Sequence, residues 1–223
     1  MKQKQLVLAA SVVAFVAVFA SVFLLSRDSS PSAAAPTVLA FYEGLPTAGM
    51  TIGPADAPVL VEEYFDFQCP YCQAASQEVV KPLIDKYVRS GQVRFAYRPF
   101  PFLGPESDLA AAAAYCAAKQ GQFWPYQDLL FARQGRRNQG AYSQANLVAD
   151  ARRLNLDEAE FAQCLQSEEA AIFVTGSYER ARQMGLQGTP TYLVNGRIVS
   201  VGSFSDLERA IEAALQEAAR KEP

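Results

Sequence analysis

Val59-Leu60-Val61-Glu62-Glu63-Tyr64-Phe65-Asp66-Phe67-Gln68-Cys69-Pro70-Tyr71-Cys72 is the stretch on which the reading of this chain turns. Val59 to Phe67 is rich in β-branched and aromatic residues and has the near-continuous apolar character of a buried strand. The two cysteines follow at once, and a helical run begins at Gln73. Pro70 suits a first helical turn, where its missing N–H leaves no hydrogen bond unmade. A strand that hands over to a helix through Cys-x-x-Cys sets the first sulfur beside unpaired N–H groups and the positive end of the helix dipole. A thiolate is favoured there. Cys69 is therefore expected to attack and Cys72, one turn further in, to resolve; when oxidised, the pair is a small ring ready to pass on its disulfide.

Other uses of such a pair are weaker. Half a zinc site needs a second knuckle, and the remaining cysteines, Cys116 and Cys164, are too far apart in sequence to form one. A structural bridge across so short a loop would stabilise little. Glu63 lies on the same side of the strand as the apolar Phe65 and Phe67, which points it inward. A buried carboxyl there would have a raised pKa and could relay a proton to or from Cys72; a solvated strand residue is the plainer alternative. Gly188-Thr189-Pro190-Thr191 precedes another strand, and Pro190 is a candidate for a cis bond as well as for an ordinary turn.

Outward from this centre, Gln92 to Arg98 alternates as a second strand, and Pro82 predicts a kink or break in the intervening helix. Asp108 to Met184 reads as four or five helices without a strand, with Ser143 and Asp157 as N-caps and Glu160 completing a capping box. Phe123-Trp124 reads as core of this block. Strands return at Thr191–Val194 and Ile198–Val201, joined by the hairpin signal Asn195-Gly196. Ser205-Asp206-Leu207-Glu208 is read as the capping box of a last amphipathic helix. The order is strand–helix–strand, helical block, hairpin–helix: an α/β layer at 51–105 and 187–221, interrupted by a helical insertion at 106–186. There are no internal repeats.

The amino terminus has a separate role. Lys2 and Lys4 (in the 1–5 segment) precede Leu6–Leu25, which carries no charge. At about 1.5 Å per residue that run spans the roughly 30 Å hydrocarbon core of a bilayer. It is long for a cleaved signal, although Ala33-Ala34-Ala35 could serve as a cleavage site. The lysines keep the terminus cytoplasmic and send the rest across. Residues 26–50, including SSPSAAAPT at 29–37, read as a tether.

Composition excludes much else. The 223 residues are half hydrophobic, with a formal charge of -3 and no histidine. Without imidazole there is no Ser-His-Asp triad, no Cys-His dyad and no His-ligated zinc. No Walker-type glycine loop is present, and scattered Lys and Arg give no footprint for nucleic acid.

Four strings, taken together and in order, resemble the DsbA-like thiol:disulfide oxidoreductases: Ile52-Gly53-Pro54-Ala55-Asp56-Ala57-Pro58-Val59, Phe65 to Cys72, Gly121-Gln122-Phe123-Trp124, and Gly188 to Gly196. The likeness covers about residues 50 to 220. It implies a thioredoxin-like fold with an inserted helical domain, here preceded by one transmembrane helix. It also implies a cis Pro190 facing the cysteines, with Thr189 offering backbone hydrogen bonds to an extended substrate alongside Pro70 and Tyr71. Cys-Pro-Tyr-Cys occurs in glutaredoxins too, but those are much shorter between the cysteines and the proline. The best-known oxidases of the family carry His where this chain has Tyr71, so the helix end and local N–H donors are left to hold the thiolate. Cys116 and Cys164 match places where some relatives have a second disulfide, which an oxidising compartment favours; two buried free thiols are the other arrangement.

The resemblance implies a disulfide donor to reduced or unfolded exported proteins, working outside the cytoplasm. A membrane redox partner would reset the pair. No metal is expected, and no cofactor beyond the Cys69–Cys72 disulfide itself. A reductase or isomerase belongs to the same class, and a non-catalytic chaperone or scaffold of the envelope is the alternative outside it.

Overall fold

The computed structural model describes residues 40–221. The n-region at 1–5, the apolar run at 6–25 and residues 26–39 of the tether lie outside the described residues. No helix among the described residues is long and apolar enough to cross a membrane.

Strand β3 (Val59–Phe65) sits near the middle of a six-stranded sheet. It pairs in parallel with β4 (Val93–Pro99) and antiparallel with β5 (Thr191–Val194). Outside β4 lie two short strands, β1 (Thr47–Ala48) and β2 (Thr51–Ile52); outside β5 lies β6 (Arg197–Val199). The β5–β6 turn has Asn195 at φ 48° and Gly196 at φ 78°, the left-handed pair a two-residue hairpin requires. Asn195 is also fixed to β3: its Oδ1 accepts from the Leu60 N–H at 2.8 Å and its own N–H donates to the Leu60 carbonyl at 2.8 Å.

Burial on both faces explains the apolar run of β3. Val61, Glu63 and Phe65 share a side with Phe95, Tyr97, Tyr192 and Val194, and all are buried. Tyr64 and Leu193 point the other way, into a small cluster with Phe100, Ala181 and Leu186. Between β3 and β4 the chain forms one helical run: α1 (Pro70–Ala75), a π turn at Ser76–Val80, α2 (Lys81–Leu83) and a second π turn at Ile84–Val88. Pro82 therefore does not break the helix; the π turns on either side rearrange the hydrogen-bond ladder around the residue that cannot donate to it.

Five helices lie between β4 and β5: α3 (Pro105–Lys119), α4 (Phe123–Arg133), α5 (Gln144–Arg153), α6 (Glu158–Leu165) and α7 (Glu168–Gln183). The alanines Ala110–Ala114 are buried along α3, where small side chains allow neighbours to approach closely. Asp157 caps α6 by accepting the Glu160 N–H at 2.9 Å, but the Asp157 N–H is taken by Gln120 rather than by the Glu160 side chain. Ser143 precedes α5 without a side-chain cap. The last helix, α8 (Phe204–Ala219), starts two residues earlier than the expected box places it: Ser203 rather than Ser205 is the N-cap, and Asp206 accepts from Ser203 Oγ and the Gly202 N–H.

The tether ends earlier than its expected limit at residue 50. Tyr42 and Met50 are already buried, and Tyr42 packs on Trp124 with ring centroids 5.6 Å apart. Its hydroxyl donates to Asp128 at 3.0 Å, an attachment to residues far along the chain that local composition does not reveal.

Cys116 on α3 and Cys164 on α6 are joined by a disulfide with a sequence separation of 48. Closing a loop of that length in the unfolded chain corresponds to about 4 kcal/mol in the chain-entropy model. Replacing both cysteines by alanine is expected to lower unfolding free energy by roughly that amount, read from denaturant unfolding with m fitted for each protein, since the unfolded chain without the bridge is less compact. A change below about 1 kcal/mol would mean the unfolded state gains little freedom from losing the bridge.

Candidate active site

Cys69 is the N-cap of α1, in extended conformation (φ -82°, ψ 116°), with Pro70 as the first helical residue. The Cys72 and Gln73 N–H groups both donate to its carbonyl at 3.1 Å, closing the first turn. Cys69 and Cys72 are free thiols, 5% and 0% exposed, whereas Tyr71 between them is 74% exposed. One sulfur thus lies at the opening and the other beneath it.

The Thr189–Pro190 peptide is cis, and it packs against the pair: the Cys69 thiol donates to the Thr189 carbonyl at 3.4 Å. That carbonyl is therefore already occupied when Cys69 is a thiol. Thr189 and Pro190 are partly buried, and Pro70 and Tyr71 are exposed beside them.

The two thiols ionise very differently. The Cys69 thiol is lowered to about 6, chiefly by a hydrogen bond from the Cys72 thiol. The Thr189 side chain and the N–H groups of Cys72 and Tyr71 add to this, against burial that pushes the other way. Burial drives Cys72 well up, and the neighbouring Cys69 and Glu63 add to the rise. At pH 7 the pair is a thiolate at the opening and a thiol within.

Glu63 is fully buried, and burial raises its carboxyl to about 8; a nearby Tyr192 phenol opposes the rise and Cys69 adds to it. Its register partners are Tyr97 on β4 and Tyr192 on β5. Neither carboxylate oxygen makes a well-formed hydrogen bond among the described residues. Glu63 is inward-facing and close enough to Cys72 to add to the rise of its thiol.

Several residues that hold this arrangement carry no local signature. Asp66, 2% exposed, accepts four hydrogen bonds: the Gln68 N–H and Ser107 Oγ at one oxygen, and the Phe102 and Leu103 N–H groups at the other. It ties the cysteine loop to the loop after β4 and to α3. Gln134 adds a second tie, donating to the carbonyls of Phe67 at 2.6 Å and Cys69 at 3.0 Å. Asp66→Ala would leave two backbone N–H groups of the 102–103 segment without their acceptor. It is expected to cost about 3 kcal/mol of stability, measurable by denaturant unfolding. Asp66→Asn, which keeps acceptor capacity at one atom, should recover part of the loss.

Cys116 and Cys164 are not part of this site; their bridge lies within the helical block. Phe123 and Trp124 are core, 0% and 1% exposed. Among the described residues no group of three His, Cys, Asp or Glu converges as a metal site.

A thioredoxin-type sheet with a Cys-x-x-Cys pair at a helix start, opposed by a cis-proline loop, defines a thiol:disulfide exchange site. The thioredoxin family description fits residues 46–213. A probable disulfide bond formation protein D from Bacillus anthracis is 32% identical over 170 residues, covering 74% of this chain and 78% of that protein. The solved structure of oxidised BdbD from Bacillus subtilis superposes with a TM-score of 0.70 at 26% identity, covering 78% of this chain and 97% of that one. The chain belongs to the DsbA-like thiol:disulfide oxidoreductases of the thioredoxin superfamily. A Na(+)/H(+) antiporter NhaA 3 from Salinispora tropica is 36% identical over 186 residues, 79% of this chain. The chain spans only 27% of that relative's length.

Proposed function

We propose that this chain donates the Cys69–Cys72 disulfide to reduced proteins exported from the cytoplasm, and that Leu6–Leu25 anchors it to the membrane with the catalytic part outside. The observation that carries the reading is the placement of the pair: Cys69 caps the start of α1 beside exposed Tyr71, where its thiol is lowered to about 6, and Cys72 is fully buried. A stabilised Cys69 thiolate favours the reduced form, so the oxidised pair gives up its disulfide readily.

A substrate thiolate attacks Cys69 Sγ of the oxidised pair. The Cys69–Cys72 bond breaks, its electron pair goes to Cys72 Sγ, and Glu63 supplies the proton that makes Cys72 a thiol. A second substrate thiolate then attacks the substrate sulfur of the mixed disulfide, and Cys69 leaves as its stable thiolate. Two electrons have passed from substrate to protein, and a membrane partner of opposite redox function removes them. Exposed Pro70 and Tyr71, with Thr189 and Pro190, would form the bank against which the substrate strand lies.

The test mixes oxidised full-length protein with one equivalent of a reduced, unfolded secreted protein at pH 7. Stoichiometric transfer of the disulfide is expected; a substrate that remains reduced while the pair remains oxidised overturns the reading. In cells, the full-length chain should fractionate with membranes and resist extraction by alkaline carbonate, whereas release into the soluble fraction would remove the anchor.

A further inference from the structure

The geometry points to Arg136 and Arg137 as a cationic lip beside Cys69 that selects reduced polypeptides carrying aspartate or glutamate next to the reacting cysteine. This inference rests on the proposed disulfide-donor chemistry for the substrate it selects; the charge at the opening stands on the structure alone.

The loop that carries the two arginines, 134–142, is fastened to the cysteine segment on both sides of them. Upstream, Gln134 Nε2 donates to the carbonyls of Phe67 at 2.6 Å and Cys69 at 3.0 Å. Downstream, Asn138 and Gln68 exchange two hydrogen bonds: the Asn138 N–H donates to Gln68 Oε1 at 2.7 Å, and Gln68 Nε2 donates to Asn138 Oδ1 at 3.0 Å. Asn138 Nδ2 also reaches the Leu103 carbonyl at 3.0 Å, and the Tyr142 hydroxyl donates to the Phe67 carbonyl at 2.8 Å. Asn138 sits over Gly104, where a β-carbon would collide with its amide. Arg136 is two residues from Gln134, and Arg137 is next to Asn138. At about 3.8 Å between consecutive Cα atoms, each lies within about 8 Å, Cα to Cα, of a residue bonded to Gln68 or Cys69.

Their charges are free. Both side chains are exposed. Arg133 pairs with Asp150 at 2.5 Å and Arg152 with Glu158 at 2.6 Å, whereas no carboxylate among the described residues pairs with Arg136 or Arg137. The two carboxylates that hold this region, Asp66 and Glu106, are buried and already engaged. Asp66 takes the four donors named above, and Glu106 accepts from the Gly140 and Tyr142 N–H groups at 2.6 and 2.8 Å.

Cys69 therefore has two banks: the Thr189–Pro190 loop at its sulfur and the arginine loop at its carbonyl. A substrate strand on the first bank brings the neighbours of its cysteine toward the second. A carboxylate beside that cysteine holds back the thiolate, which is the form that attacks. The arginines oppose this effect and draw acidic chains to the opening. They take no part in the exchange of bonds; they set which substrate reacts.

Two readouts on the full-length protein decide it, each comparing wild type with Arg136→Gln/Arg137→Gln. With the pair reduced, alkylation of Cys69 by anionic iodoacetate is measured against alkylation by neutral iodoacetamide at about 0.01 M salt, where the Debye length is about 30 Å. The iodoacetate-to-iodoacetamide rate ratio should fall about fivefold in the variant, and the difference should vanish at about 1 M salt. With the pair oxidised, two reduced dithiol peptides are compared that differ only in Glu or Gln beside their cysteines. The Glu-to-Gln ratio of transfer rates should also fall about fivefold, and Arg136→Lys/Arg137→Lys should restore most of it. An alkylation ratio that stays the same in the variant overturns the lip. A changed alkylation ratio with an unchanged peptide ratio overturns the substrate preference. Transfer to neither peptide by wild type would sink the proposed function, and the selection of substrates with it, while the alkylation ratio still decides the lip.

Discussion

Replacing Cys69 by serine is expected to reduce thiol oxidation to the uncatalysed background and to abolish covalent capture of substrates. A serine hydroxyl is not ionised near neutral pH, so the change removes the attacking and leaving group at once. Cys72→Ala should behave differently. It too cannot hold a disulfide, but Cys69 keeps its place at the helix end. Mixed disulfides formed through Cys69 then have no internal thiol to resolve them and should accumulate. Non-reducing electrophoresis of cells expressing each variant reads both outcomes. Complexes in Cys69→Ser but not in Cys72→Ala would reverse the roles given to the two sulfurs.

Glu63→Gln should make the reduced protein more stable and a slower catalyst. The ordinary value for this carboxyl is 4.5, and the folded protein raises it to about 8. Between these values the folded state binds the proton that the unfolded chain has lost, so stability falls as pH rises from 4.5 to 8 and levels off above. At pH 7 the deficit is on the order of 3 kcal/mol, and a neutral glutamine is free of it. Unfolding at pH 4.5 and at pH 8 should therefore show a variant advantage that grows with pH. Catalysis should fall by about 10²-fold, the lower end of what a positioned acid contributes. A variant advantage that is flat with pH would mean that Glu63 is not a buried neutral acid.

Much of this was legible in the chain itself, for reasons that are local. Val59–Phe67 carried the pattern of a strand buried on both faces, with Glu63 the one acidic residue on the inward side. The Cys-x-x-Cys spacing with Pro70 marked a helix start, and Asn195-Gly196 named its own turn. Long-range attachments were not legible. Asp66 gathers partners from Gln68, Ser107, Phe102 and Leu103, and Gln134 reaches back to Phe67 and Cys69; nothing in their own neighbourhoods marks them. The same holds for Tyr97 and Tyr192, whose place beside Glu63 depends on which strands pair and in what register. Tyr42 looked like tether because its docking surface on Trp124 and Asp128 lies far away in sequence. Pro82 marked a disturbance of the helix but not its form: a proline removes one donor, and π turns on either side keep the helical run continuous around it.

The direction of disulfide transfer is decided by the reduction potential of the Cys69–Cys72 pair, equilibrated against glutathione in the full-length protein. A Cys69 thiol lowered to about 6, below the roughly 7 of thioredoxin and above the roughly 3.5 of the strongest oxidants, predicts a value clearly above thioredoxin's and toward the about -120 mV of strong periplasmic oxidants. A value near that of thioredoxin, about -270 mV, would make the protein a reductant and contradict the account. The two differ by about 150 mV, or roughly 7 kcal/mol for a two-electron couple, well beyond the scatter of such a titration.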